Sequence, residues 1–506
     1  MNTVRHRACH ASATLTRSLR IPSRWRTIST NHFIHREKDA VVPDSGFTFA
    51  VKDNIATAGH PTTCASAFLR DYESPFEATV VRQLRERGGV FVGKTNMDEF
   101  GMGSHSLNSA HGPVLNPKFD DVPRSAGGSS GGSAVAVRLG DADVALGTDT
   151  GGSIRLPAAY TGVVGYKPSY GMISRRGVVP YANSLDTVGF LARDVKPIYD
   201  LVIDGGLIHE HDELDPTSLT SQSRRRCSPG GDRRPPKLEE HFRNPSEITI
   251  GIPQDYRIAE LHPSILAAWA AAEDALRKWG ARVVPVRLPS TQVALPAYYV
   301  LAPAEASSNL AKYDGVRYGS RAEGGDTDAS GEVLYSRTRG DNFGREVRRR
   351  ILMGTYSLSS EAMDNYFVQA QRVRRLVQRD FDRVFARPNP LRDEEPFDLS
   401  DLEDGWELEN KRGPAQVDFL LCPTAPTFPP RVEDVRTQGP VDSYMNDVFT
   451  VPASLAGLPA ISVPVPAGNG MEEGGGVAGL QVLGQFWDDA RVLGIAHQLS
   501  RLMPVV

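Results

Sequence analysis

Apolar blocks of two different periods follow one another along the chain from Phe47 onward. "FTFAVKDNI" is a short apolar run that ends in a polar turn, the pattern of a buried strand. "EATVVRQLRERGGVFVGKT" spaces its apolar residues as a helix does, stops at Gly88 and Gly89, and continues as the strand "VFVG". "GSAVAVRLG" then predicts a helix and "DADVALGTD" the next strand. "PSILAAWAAAEDALRKWGARVVPVRLP" repeats the order of helix, glycine and strand. This alternation predicts an α/β fold with a large mixed, mostly parallel central sheet covered by helices on both faces. The longest apolar candidate, "VPASLAGLPAISVPVPAG", is broken by prolines, so no uninterrupted apolar run reaches the length of a membrane span, and it predicts buried strand and turn.

Three regions depart from the pattern. Residues 208–245 are polar and rich in Ser, Arg, Gly and Pro, and residues 387–415 are acidic and punctuated by proline. Both read as mobile surface insertions in a single domain over 37–506. Residues 1–36 carry Arg5, Arg7, Arg17, Arg20, Arg24, Arg26 and Arg36 among many Ser and Thr, with no acid before Glu37. Basic, hydroxyl-rich and without an apolar core segment, this stretch predicts a mitochondrial transit peptide, and so a matrix protein.

Composition narrows the function. The 506 residues carry a net charge of −4, so no basic face for direct nucleic-acid binding is predicted. Cys9, Cys64, Cys227 and Cys422 have no metal-binding spacing, which predicts a reducing compartment, no disulfide framework and no metal.

Candidate chemistry lies in "RSAGGSSGGSAVAVRLGDADVALGTDTGGSIRLP", Arg124 to Pro157, where glycines and hydroxyl residues cluster twice. Both clusters sit against apolar periodic segments, which argues against a linker. Neither is followed by the lysine of a phosphate loop, and the dinucleotide-binding glycine spacing is missing. A site built of hydroxyls and backbone N–H groups remains.

The run Gly127 to Gly189, together with "VKDNI" around Lys52, closely resembles the amidase signature family, and the similarity extends over about nine-tenths of the chain. The resemblance implies the amidase signature fold and a Ser–cis-Ser–Lys triad: Ser153 as nucleophile, Ser129 as bridging serine and Lys52 as base. Ser130 and Ser133 are the neighbours most easily confused with Ser129. A serine hydroxyl needs a base to take its proton, so Lys52 must be neutral, as burial would make it. Thr150, Gly151 and Gly152, with Ser153, would supply an oxyanion hole through backbone N–H groups.

Three further stretches, 297–319, 344–359 and 442–464, resemble the branch of the family that hydrolyses glutamine for the amidation of Glu-tRNA(Gln). In that branch Arg350 would hold the α-carboxylate of free glutamine and Asp447 its α-amino group, with Tyr298 assisting. Arg350, in a run with Arg348 and Arg349, also fits a solvated helix face, and Asp447 also fits a helix cap. The resemblance implies a heterotrimer with a B subunit plus a small third subunit. It implies no cofactor in this chain, with ATP and Mg2+ used at the partner and the tRNA bound mainly there. A stand-alone amidase acting on a small or apolar amide is the rival; it predicts a hydrophobic acyl pocket in place of Arg350 and Asp447. A non-catalytic scaffold ranks third. Family members usually carry several dozen helical residues before the catalytic lysine. Here 51 residues precede Lys52 and most read as targeting peptide, so partners are expected to cover the exposed surface.

Overall fold

A computed structural model describes residues 29–37, 42–43, 46–119, 122–228, 236–322, 334–393, 416–468 and 476–505. Its frame is one eleven-stranded sheet. The strands are β1 (Phe33–Arg36), β2 (Phe47–Lys52), β3 (Gly89–Thr95), β4 (Val144–Asp149), β5 (Val164–Lys167) and β6 (Thr187–Ala192), followed by β7 (Thr249–Pro253), β8 (Arg282–Val286), β9 (Phe419–Pro423), β10 (Ala460–Pro466) and β11 (Val477–Gly484). Their spatial order is β1-β3-β2-β4-β6-β5-β10-β11-β9-β7-β8.

The predicted helix–strand units form: helix Thr79–Glu86 leads into β3, helix Gly131–Leu139 into β4, and helix Pro263–Trp279 into β8. Side chains alternate across the sheet as a strand requires. Phe49 and Val51 of β2, with Val144 and Leu146 of β4, enter the large core. Ala50 and Ala145 enter a second core with Ala134 and Val137 of helix Gly131–Leu139 and Ala158 of helix Arg155–Thr161. Both faces of this part of the sheet are therefore covered.

The sheet is mixed, but it is not mostly parallel. Only β2 with β3, β2 with β4, β7 with β8, and β7 with β9 run parallel; the other six neighbour pairs are antiparallel. The crossovers legible in the sequence lie in the two flanks, whereas β4, β6, β5, β10, β11 and β9 meet through antiparallel pairings in the middle.

Local expectations shift too. "VPASLAGLPAISVPVPAG" is a short helix, Val451–Ala456, and then β10, because Gly457 adopts a left-handed φ of 74° that ends the helix. Residues 30–36, placed in the targeting segment by composition, belong to the fold. Leu115 N–H donates to the Thr30 carbonyl and Asn96 N–H to that of His32, and β1 pairs with β3. Residues 1–28 of that segment lie outside the described residues.

The first part of the 208–245 stretch is packed rather than loose. The buried Arg224 guanidinium donates to the carbonyls of Ile208, Leu219 and Met172 at 2.6, 2.8 and 2.8 Å. Most of 387–415 lies outside the described residues. Among those described, no helix is long and apolar enough to cross a membrane.

Candidate active site

The site forms at the carboxyl ends of the parallel strands β2 and β4, where Lys52 and Thr148–Asp149 end their ladders side by side. Lys52 Nζ lies 2.7 Å from Ser129 Oγ, 2.9 Å from Thr148 Oγ1 and 3.3 Å from the Thr148 carbonyl. Ser129 follows a cis peptide after Gly128 and stands just ahead of helix Gly131–Leu139. The Ser130 amide donates to the Ser153 carbonyl at 3.1 Å, which brings the second glycine cluster beside the first. Lys52 is 0% exposed, Ser129 1% and Ser153 9%, so accessibility increases from Lys52 to Ser129 to Ser153.

Burial drives the Lys52 pKa down to about 7, against the upward pull of Asp98, Asp149 and Asp186. No carboxylate touches the amine among the described residues, and the positive end of helix Gly131–Leu139 further disfavours an ammonium. A neutral amine has two protons and one lone pair. The Thr148 carbonyl can only accept, so the lone pair is left for a hydroxyl, and Ser129 can donate into it. Ser130 and Ser133 are engaged elsewhere. Ser130 Oγ donates to the Thr148 carbonyl at 3.3 Å, and Ser133 Oγ donates to the Leu146 carbonyl at 2.9 Å.

The loop before Ser153 is shaped by two glycines. A Cβ on Gly151 would lie 2.6 Å from the Tyr298 ring, and one on Gly152, where φ is 149°, would overlap Thr450. Thr150 Oγ1 donates to Asp186 at 2.7 Å, and the Gly151 carbonyl accepts from Thr450 Oγ1 at 2.6 Å. Among the described residues, the N–H groups of Gly151, Gly152 and Ser153 meet no acceptor. Behind the loop, Asp149 and Arg155 form a fully buried two-pronged ion pair at 2.9 and 3.0 Å. Arg155 reaches on to the Thr450 carbonyl, Gln481 and Ser454.

Tyr298 packs on the same loop, and Arg350 and Asp447 are linked to it through Tyr181 and Thr450. In helix Arg345–Ser357, Arg348 is exposed and Arg349 intermediate, but Arg350 is buried, which removes the solvated-face reading. Its Nε donates to Glu346 at 2.8 Å and its Nη1 to the Tyr181 hydroxyl at 2.7 Å, while the rings of Tyr181, Tyr299 and Tyr444 surround the guanidinium. Tyr181 also shares a hydrogen bond with Tyr298, the ring packed against Gly151. Asp447 caps no helix start; its carboxylate accepts from Ser104 Oγ at 2.9 Å and from the Tyr299 hydroxyl at 2.8 Å. Burial raises its pKa to about 6, so it is mostly an anion at neutral pH.

Sequence reasoning missed Thr148, Ser104, Tyr181, Tyr299 and Glu346. Only Glu346 had a local signal, an acid one helical turn before Arg350.

A buried amine hydrogen-bonded to a serine hydroxyl, beside a glycine-lined loop whose N–H groups meet no acceptor among the described residues, is the arrangement of an amide hydrolase of the serine–lysine kind. The sequence comparisons agree: the amidase family model matches residues 33–493, and the chain belongs to that family. The A subunit of the mitochondrial glutamyl-tRNA(Gln) amidotransferase of Fusarium vanettenii is 68% identical over 454 residues, covering 90% of this chain and 86% of that protein. The protein of the same name from Podospora anserina is 62% identical over 463 residues, covering 90% and 89%. The crystal structure of the glutamyl-tRNA(Gln) amidotransferase A subunit from Thermotoga maritima superposes with a TM-score of 0.70 at 34% identity, covering 94% of this chain and 88% of that one.

Proposed function

We propose that this chain is the glutamine-hydrolysing subunit of a mitochondrial enzyme that converts Glu-tRNA(Gln) to Gln-tRNA(Gln). Ser153 attacks the side-chain amide of glutamine as its proton passes through Ser129 to Lys52. The N–H groups of Gly151, Gly152 and Ser153, with that of Thr150, hold the oxyanion; each such donor is typically worth about 3 kcal/mol in the transition state. Lys52 and Ser129 return the proton to the departing ammonia, and water then releases glutamate from Ser153. Arg350 binds the substrate α-carboxylate, Asp447 its α-ammonium, and Tyr298 sets the wall between them and the loop.

The observation that carries this reading is a buried cation and a buried anion each linked to Gly151, Arg350 through Tyr181 and Tyr298 and Asp447 through Thr450, on the loop beside the Lys52–Ser129 pair. Free glutamine presents that pair of charges; a simple amide does not. The stand-alone amidase needs an apolar acyl pocket at the nucleophile. An apolar cavity of about 420 Å³ does occur, with Tyr256, Leu295, Tyr299 and Tyr444 among its walls, but Lys52, Ser129 and Ser153 do not line it.

The names of the relatives support mitochondrial residence and a multisubunit enzyme, as does the basic start of the chain. The partners are a B subunit plus a small third subunit. The B partner uses ATP and Mg2+ and also holds most of the tRNA; a net charge of −4 fits a chain that leaves RNA binding to another.

The test is glutamine-dependent amidation of Glu-tRNA(Gln) by the tagged chain copurified with its partners, alongside Ser153→Ala with ammonium as an alternative donor. Loss with glutamine and retention with ammonium is the expected result. No amidation, with turnover of simple amides by the isolated chain, would leave the stand-alone amidase.

A further inference from the structure

Away from this site, three groups able to bind a metal meet at the first edge of the sheet. His35 in β1 and Glu37 just beyond it are two residues apart on an extended segment, and so share a face. Glu37 N–H donates to the Val92 carbonyl at 3.0 Å, which fixes this segment against β3. His60 comes from the turn after Lys52, closed by its own N–H to the Thr57 carbonyl at 3.2 Å. Its ring is wedged between those of His35 and Phe91, with centroids 4.9 and 4.8 Å away.

The carboxylate is the meeting point. His35 Nε2 lies 3.0 Å and His60 Nδ1 3.5 Å from the same Glu37 oxygen, and the three ligand atoms all lie within 4.8 Å of one another. A tetrahedral zinc ion with ligands at about 2.1 Å holds them roughly 3.4 Å apart, so small side-chain rotations suffice to close the set. The nearby cations are already engaged: Arg85 pairs with Glu77 at 3.1 Å, and Lys94 lies 3.4 Å from Asp53. His35 and Glu37 are partly open to solvent, leaving space for a water ligand.

We propose that His35, Glu37 and His60 bind a divalent cation of the zinc class, which clips the first strand to the loop that follows Lys52. Two imidazoles and one carboxylate are a familiar zinc donor set. The sequence hides this site because His60 is distant along the chain and no cysteine takes part.

The experiment uses the full chain copurified with its partners, stripped by chelator and titrated with zinc chloride in a calorimeter, with melting followed in parallel. One saturable equivalent and a melting midpoint raised by about 2 °C or more are expected. His60→Ala and Glu37→Gln should melt with the parent in chelator, bind zinc at least tenfold more weakly, about the smallest loss seen on disturbing a metal site, and lose the zinc-induced shift. If His60→Ala melts early in chelator, His35→Asn takes its place. No saturable equivalent in the parent, or equal binding by the variants, would overturn the proposal and leave a hydrogen-bonded His–Glu–His cluster.

Discussion

Lys52 and Arg350 are both basic residues that the fold buries, yet it treats them in opposite ways. Around Lys52 it places hydroxyls and a carbonyl, and burial brings the pKa down to about 7. Around Arg350 it places a carboxylate at 2.8 Å, a phenol at 2.7 Å and three aromatic faces, which hold the guanidinium charged. Burial alone therefore fixes neither charge state; the nearest polar contacts decide it. An amine without a carboxylate becomes a base, and a guanidinium with one becomes a permanent anchor for an anion.

Exchanging these roles gives the largest expected effect. Lys52→Arg puts a charge that cannot be lost where the base belongs, so glutamine-dependent kcat should fall by roughly 10²- to 10⁴-fold, the usual worth of general acid–base catalysis. Amidation with ammonium should persist; a variant that still hydrolyses glutamine would show that Lys52 is not the base. Arg350→Lys keeps a charge but loses the fork. The KM for glutamine should rise about 10- to 100-fold with a much smaller change in kcat, as one charge-assisted hydrogen bond is lost. Steady-state kinetics separate the two parameters, and a loss confined to kcat would remove Arg350 from substrate binding.

The pH profile tests the comparison without mutation. Because the protonated amine cannot accept a proton, kcat/KM for glutamine should be flat above pH 7. Below that it should fall about tenfold per unit, and more steeply below pH 6 as Asp447 is neutralised. A profile level from pH 5 to 8 would contradict a lowered Lys52 pKa. The smallest effect is expected at Glu99. Its carboxylate, raised to about pKa 7 by burial, accepts the Gly344 N–H at 2.8 Å at the start of the Arg350 helix. Glu99→Gln weakens that cap by about 1 kcal/mol, so the KM for glutamine should rise no more than about fivefold with kcat unchanged.

Much of the site could be read from the chain because its parts carry local signatures. The two glycine and hydroxyl clusters and the apolar strand ending at Lys52 are visible in one dimension, and the resemblance of these stretches to the amidase signature family is what assigned individual residues to roles. The helix–strand units on the flanks of the sheet were legible for the same reason. The antiparallel centre was not, since strand pairing between β10 and β5, or β11 and β9, depends on contacts between segments far apart in sequence. The same holds for Ser104 and Tyr299, whose hydrogen bonds to Asp447 span 343 and 148 positions. Nothing near Tyr181 announces that it will stand between Arg350 and Tyr298.

The span of the contacts around Gly151 and Arg155 bears on when the protein can become active. Lys52 meets Ser129 across 77 positions, Gly151 meets Thr450 across 299, and Arg155 meets Gln481 across 326. Each closure costs chain entropy before the contact repays it, so ordering of the nucleophile loop waits for segments from the far end of the chain. A partly synthesised or partly threaded polypeptide holds Ser153 and Lys52 but lacks the scaffold that seats them. Its topology thus works as a timer, withholding hydrolysis until the final strands have joined the sheet.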